Sequence, residues 1–237
     1  MRLIQISPHN YFNNLKIMKI KSLSRRFDKF RHKSMTSEEV FADIYRRNYW
    51  DGKESRSGLG SDLNATEPIR QELPLLFKEL NILSILDIPC GDFWWLKEID
   101  LSFLSYAGGD IVDDILQQNN KKYKNENRNF VKLDVTKDNL PTVDLVFCRD
   151  LFIHLPVNDI IKSIKNIKKS GSKYLMTNSY EKVQKNNDTK PGGWRPLNLL
   201  LPPFSFPKPL KSLNEKPIKK NLDKKLYLWE ISDLYLI

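Results

Sequence analysis

The chain has 237 residues, 40% of them hydrophobic, which suits one soluble domain of ordinary size with a substantial buried core. No run approaches the ~18 to 20 uninterrupted apolar residues of a membrane span, and two cysteines make no disulfide framework, so a reducing, cytoplasmic setting is expected. The net charge of +10 resides mostly in residues 1–33, where nine Lys and Arg face Asp28 alone, giving +8 there and +2 elsewhere, so the high pI is no argument for a nucleic-acid substrate.

Within this basic leader, taken as residues 1–35, Asn13, Asn14 and Lys16 break up the apolar residues, unlike a signal peptide. Ile20, Leu23, Phe27 and Phe30 recur at helical steps, and basic side chains fill the other faces. Such a helix either packs or solvates as an ordinary surface element, or lies on an anionic membrane. The single domain, residues 36–237, opens at Thr36 and Glu39, a capping box, followed by Phe41, Ile44 and Tyr45 on one face. Tyr49-Trp50-Asp51-Gly52 and Ser57-Gly58-Leu59-Gly60-Ser61 then form a polar, glycine-bearing loop. Pro68 to Leu80 reads as a helix that Pro74 should kink or split.

Ser84 to Phe93, S-I-L-D-I-P-C-G-D-F, is the centre of the pattern. Its short apolar run suits a buried strand, Pro89-Cys90-Gly91 forces a sharp turn, and Phe93 to Ile99 has helical spacing. A strand, a tight glycine turn and a helix bring backbone N–H groups to a nucleotide. Asp110, ending the next apolar segment, is placed to accept from ribose hydroxyls. The alternation continues with a helix over 114–122, strands over 130–135, 143–148 and 173–177, and a helix over 156–169 stopped by Gly171. Alternating strands and helices predict a parallel sheet with right-handed crossovers. Six prolines crowd residues 191–209, within a loop spanning 180–209 that is too long for an ordinary connection. Residues 210–215 and 226–231 are spaced for a closing hairpin.

Together these positions resemble the class I S-adenosylmethionine-dependent methyltransferases. Asp87-Ile88-Pro89-Cys90-Gly91-Asp92 looks like the family's first motif, with one glycine where two or three are usual, and Asp144 to Asp150 looks like its fourth strand. The resemblance covers residues 82–179 best. It implies an α/β, Rossmann-like, mostly parallel seven-stranded sheet with an antiparallel last strand, flanked by helices. It also implies S-adenosylmethionine as cofactor, held by Asp87, Pro89, Cys90 and Gly91 at the methionine half, Asp110 and Ile111 at the ribose, Asp134 and Val135 at the adenine, and Arg149 nearby.

Methyl transfer needs alignment and, for a hydroxyl acceptor, removal of a proton. His154 and Asp150 compete as the base, while Arg149 either holds an anionic acceptor or is tied up by Asp150. Tyr49, Trp50, Asn178, Trp194 and Arg195 are the candidate acceptor contacts, each with a packing role as the alternative. Cys90 and Cys148 read as small buried residues, and no metal site is expected. Arg149-Asp150-Leu151-Phe152 lacks the Asp/Asn-Pro-Pro-aromatic run of amino-methylating nucleic-acid enzymes. The expectation is therefore O-methylation of a small molecule or glycan intermediate, with the leader as a possible contact to an anionic membrane. The rival readings are a non-catalytic binding module that reaches RNA or lipid through its leader, and an NAD-dependent oxidoreductase, which would want the absent G-x-G-x-x-G.

Overall fold

A computed structural model describes residues 31–216 and 223–235. The apolar stripe from Ile20 to Phe30 lies outside the described residues. The chain forms two units, 1–40 and 41–237. In the first, the expected capping box is formed: Thr36 N donates to Glu39 Oε2 at 2.7 Å and Glu39 N to Thr36 Oγ1 at 3.3 Å, opening helix α1 (Ser37–Arg46).

The second unit is a seven-stranded sheet in the order β3-β2-β1-β4-β5-β7-β6. Its strands are β1 (Ser84–Asp87), β2 (Ser105–Asp110), β3 (Arg128–Lys132), β4 (Leu145–Cys148), β5 (Tyr174–Tyr180), β6 (Lys211–Asn214) and β7 (Lys224–Glu230). The first five run parallel, and β7 lies antiparallel to both β5 and β6. This is the expected α/β, Rossmann-like sheet with an antiparallel last strand.

Alternation along β4 sorts the core into two layers, Leu145 and Phe147 facing one way, Val146 and Cys148 the other. On the first face lie helix α2 (Leu63–Glu79), through Ile69, Leu73, Leu76 and Phe77, and helix α3 (Asp113–Tyr123), through Ile115 and Leu116. Helix α4 (Val157–Lys169) covers the second face with Ile160, Ile164 and Ile167.

Three elements differ from expectation. The helix expected over 93–99 is a single 3-10 turn at Leu96–Glu98, because Phe93, Trp95, Leu96 and Ile99 are all drawn into the core and leave no exposed face for a longer helix. Pro74 does not split α2, which continues through both Pro68 and Pro74 for 17 residues and begins five residues earlier than expected, at Leu63. Burial of four apolar side chains on one face outweighs the missing N–H groups. The Pro-rich segment packs: Leu197, Leu199, Phe204 and Phe206 join the second core.

Candidate active site

The parallel strands end together, and ligands in such sheets bind beyond those ends. At the tip of β1 the chain turns at Gly91, whose φ of +52° only glycine adopts without strain. Asp110 ends β2 beside it, its carboxylate accepting from Gly91 N at 3.2 Å and Val112 N at 3.0 Å. Asp87 ends β1 and accepts from the Tyr106 hydroxyl at 2.6 Å. Both acids are buried, and burial is the main cause that pushes Asp87 up to about 7 and Asp110 up to about 6. The Tyr106 hydrogen bond works against the shift at Asp87, and the backbone N–H bonds against it at Asp110. Two buried carboxyls held this far from their ordinary range at adjacent strand tips mark a candidate site.

The other expected cofactor residues fall around this turn. Cys90 is buried, its N–H donating to Gly109 O and its sulfur 3.8 Å from Asn119 Nδ2. Pro89 follows a cis peptide bond, and Ile111 packs half-buried against the first core. Asp134 lies two residues past the end of β3, where it was expected to end the strand. Its Oδ1 accepts from Thr136 N at 2.9 Å and Thr136 Oγ1 at 2.6 Å, and these bonds with Lys137 hold it below its usual range despite partial burial. Val135 is buried in the second core, and its carbonyl accepts from Asn166.

Across β4 and β5 the structure assembles a charged cluster. Arg149 donates to Gly60 O at 2.7 Å and to Glu215 Oε2 at 2.5 Å, lies 3.3 Å from Asp150 Oδ2, and stacks over Trp95. Burial opposes its charge, but Glu215 and Asp150 raise it above its ordinary value. Lys224 reaches Asp150 Oδ2 at 2.6 Å and Glu215 Oε2 at 3.0 Å. Asn178 donates to Glu215 Oε1 at 2.5 Å and accepts from Asp150 N at 2.6 Å. Asp150 adopts φ +58°, strained for a residue with a side chain. Burial favours its neutral form, yet Lys224 and Arg149 hold it at about 2.

His154 sits in a 3-10 turn after β4, its Nδ1 2.6 Å from Gly193 O and its ring stacked on Trp50 at 4.5 Å. A carbonyl partner assigns the proton to Nδ1 and the lone pair to Nε2. Burial lowers His154 to about 4, so the ring is neutral across the physiological range.

The remaining candidates divide. Trp50 reaches the site through His154, and Tyr49 is half-buried beside it in sequence. Trp194 is exposed on the long loop. Arg195 is buried and donates to the carbonyls of Phe152, Leu155 and Asn187, so its guanidinium is a strut between that loop and the turn holding His154.

Sequence reading passed over several residues that the structure brings in. Asp92 accepts from Ser55 Oγ at 2.8 Å, Arg56 N at 2.9 Å and Ser57 Oγ at 3.2 Å, strapping the 51–61 loop onto the glycine turn. A Cβ on Gly91 would meet Ser57 Oγ at 2.4 Å. Asp92 lay inside the quoted motif, and that position was the available signal. Glu215 and Lys224 flank a hairpin tip more than thirty residues from Asn178 and carried no local pattern.

The strand order, the glycine turn at the first strand and the acids at the β1 and β2 tips define the class I methyltransferase fold. Residues 86–176 match the family model described as a methyltransferase domain. No curated protein sequence matches the chain. Among solved structures it is similar to magnesium protoporphyrin IX methyltransferase from Synechocystis PCC 6803 with bound S-adenosylmethionine, at 12% identity and a TM-score of 0.54, over 84% of this chain and 98% of that one. It is similar to an S-adenosylmethionine-dependent methyltransferase from Clostridium acetobutylicum at 13% identity and TM-score 0.53, over 72% and 93%. Human N-acetylserotonin methyltransferase matches at 15% identity and TM-score 0.54, over 81% and 59%. At these identities the likeness establishes the fold.

Proposed function

We propose that the protein methylates a hydroxyl of a small molecule or glycan intermediate, using S-adenosylmethionine. The observation that supports this most is adjacency: the glycine turn of β1 and the Arg149–Asp150–Asn178 cluster of β4 and β5 share one edge of the sheet. The residues fit the cofactor, because a turn free of a Cβ lies beside two buried acids that can accept from its polar groups. Asp87, Gly91, Asp110 and Ile111 would hold it, and Asp134 and Val135 would meet its base. When bound, it supplies an electrophilic methyl group on a sulfonium.

The chain's own part is orientation and proton management. Asp150 Oδ2 is taken by Lys224 and Arg149, while Oδ1 is buried and has no hydrogen-bond partner among the described residues, which leaves it as the acceptor we assign to a hydroxyl hydrogen. As the acceptor oxygen bonds to carbon, its proton leaves through Asp150 Oδ1 or His154 Nε2, both weak bases, and passes to water. A weak base suffices for a proton lost late, once the oxygen carries positive charge. Trp50 and the 55–57 strap shield the site on the other side.

The acceptor set proposed here is Tyr49, Trp50, Asn178 and Trp194, with Arg195 acting through the loop it anchors. The protein is placed in the cytoplasm, with the leader as the membrane-contacting segment. Among the described residues, no helix is long and apolar enough to cross a membrane.

The test is calorimetry with S-adenosylmethionine and S-adenosylhomocysteine, then transfer of labelled methyl to a panel of hydroxyl acceptors. Asp150→Ala and His154→Ala should keep cofactor affinity, and the one that supplies the base should lose roughly 100-fold or more in rate. Absence of cofactor binding would end the proposal.

A further inference from the structure

The closing hairpin does more than complete the sheet. Its two strands end and begin at Asn214 and Lys224, with Lys224 paired to Tyr180 at the end of β5. From this tip come one anion and one cation, both almost fully buried: the Glu215 side chain is 1% exposed and that of Lys224 is 4% exposed. Neither has a packing reason to be there, since a buried ion pair stabilises no better than apolar side chains of the same volume. Among the described residues, their side chains pair with each other and with Arg149, Asp150 and Asn178 at the reaction end of the site.

Their bonds are directional. Glu215 Oε2 takes Arg149 and Lys224, and its Oε1 takes Asn178. Lys224 then fixes Asp150 Oδ2 at 2.6 Å. Arg149 and Asn178, at the tips of β4 and β5, are locked by the same carboxylate, and Asn178 in turn receives the Asp150 N–H. The result is one carboxylate in a positive-φ backbone position, held by Lys224, Arg149 and Asn178, with Oδ1 lacking a partner among the described residues. The charges also cancel: Arg149 and Lys224 against Asp150 and Glu215.

We infer that Glu215 and Lys224 are positioning residues that clamp Asp150, leaving its Oδ1 as the contact for a neutral, hydroxyl-bearing acceptor. This rests on the methyltransferase reading and extends it in two ways. It assigns the hairpin tip a part in the reaction, and it moves Arg149 from an anion-binding group to a member of the clamp. Among the described residues, no unmatched cation stands beside Asp150 to receive an anionic acceptor.

The groups facing Asp150 are Lys224, Arg149, His154, Glu215 and Tyr180, and among the attractive ones Lys224 acts most strongly. The full chain, labelled for carboxyl and imidazole resonances, is titrated by NMR with S-adenosylhomocysteine as the cofactor probe. Lys224→Met should raise the Asp150 midpoint by roughly one pH unit or more, because a charge at hydrogen-bond distance is removed. His154 should rise with it, since Lys224 also holds that ring neutral. Lys224→Arg should restore the wild-type midpoints, and both variants should bind S-adenosylhomocysteine within about twofold of wild type. If Lys224→Met does not fold, Lys224→Gln carries the same expectation, as it keeps a donor without the charge. An Asp150 midpoint unmoved in the charge-free variant overturns the clamp, and so does a matching loss of S-adenosylhomocysteine affinity. Wild-type protein that binds no S-adenosylhomocysteine overturns the methyltransferase reading instead, while the titration still judges the clamp.

Discussion

At the scale of single residues, the cofactor end carries stored cost. Asp87 ionises near 3.8 when unfolded and about 7 when folded, so between those values the folded chain keeps a proton that the unfolded chain has lost. Its contribution therefore favours folding less as pH rises from about 4 to 7, and the whole penalty stands above 7. Asp110 acts in the same direction up to about 6. His154 acts oppositely: unfolded it gains a proton below 6.5, folded only near 4, so its contribution weakens as pH falls through that window. Asp87→Asn removes the first penalty while leaving an oxygen for the Tyr106 hydroxyl. It should raise the melting temperature at pH 8 by several degrees, lose that advantage near pH 4, and weaken cofactor binding at every pH. Scanning calorimetry at both pH values, with and without S-adenosylhomocysteine, checks it. A variant less stable than wild type at pH 8 would contradict the burial argument. These two acids were legible in sequence because strand ends and turn glycines leave local signatures. Glu215 and Lys224 were not, because two polar residues bordering a hairpin turn look like any solvated tip until the register of β7 on β5 places them beside β4.

At the scale of elements, sequence periodicity found the seven strands and four α-helices of the described residues but misjudged what joins them. Phe93 to Ile99 carries apolar residues at helical steps, yet only eleven residues separate Ile88 from Asp100. Three of those side chains are aromatic, and Phe93 takes φ +55° to bury its ring against Tyr106, Tyr123 and Phe130. The period was real; a tertiary demand set the backbone. The 51–61 loop shows the converse. Its glycines announced a turn, but its anchor, Asp92, lies more than thirty residues away. Asp92 spends its carboxylate on two hydroxyls and a backbone N–H, holding Ser57 directly over Gly91. Asp92→Ala should release this strap. Charge-assisted bonds of this kind contribute about 1 to 3 kcal/mol, so S-adenosylhomocysteine affinity should fall by roughly 5- to 100-fold. The loss should appear chiefly as faster dissociation in stopped-flow measurements, since a strap slows departure more than arrival. An unchanged off-rate would make the strap a mere surface fold.

At the scale of the whole molecule, charge and chemistry are separated along the chain. The leader carries +8 of the total +10, while the four charges at the reaction end sum to zero. A near-neutral catalytic unit gains nothing in steering toward an anion, and we propose that the leader's basicity serves a separate contact. An anionic surface is the partner its composition fits, at about 1 kcal/mol for each Lys or Arg near the membrane and with strong sensitivity to salt. Full-length protein should float with vesicles containing phosphatidylserine and not with pure phosphatidylcholine, and 0.5 M salt, as a rough choice well past the Debye regime, should release it. A chain starting at Met35 should stay unbound in both cases yet keep its S-adenosylhomocysteine affinity, because the glycine turn, the two acids and the charged cluster all lie beyond residue 50. Binding that survives this truncation, or that ignores lipid charge, would show that the basic residues are not what holds the protein to a surface.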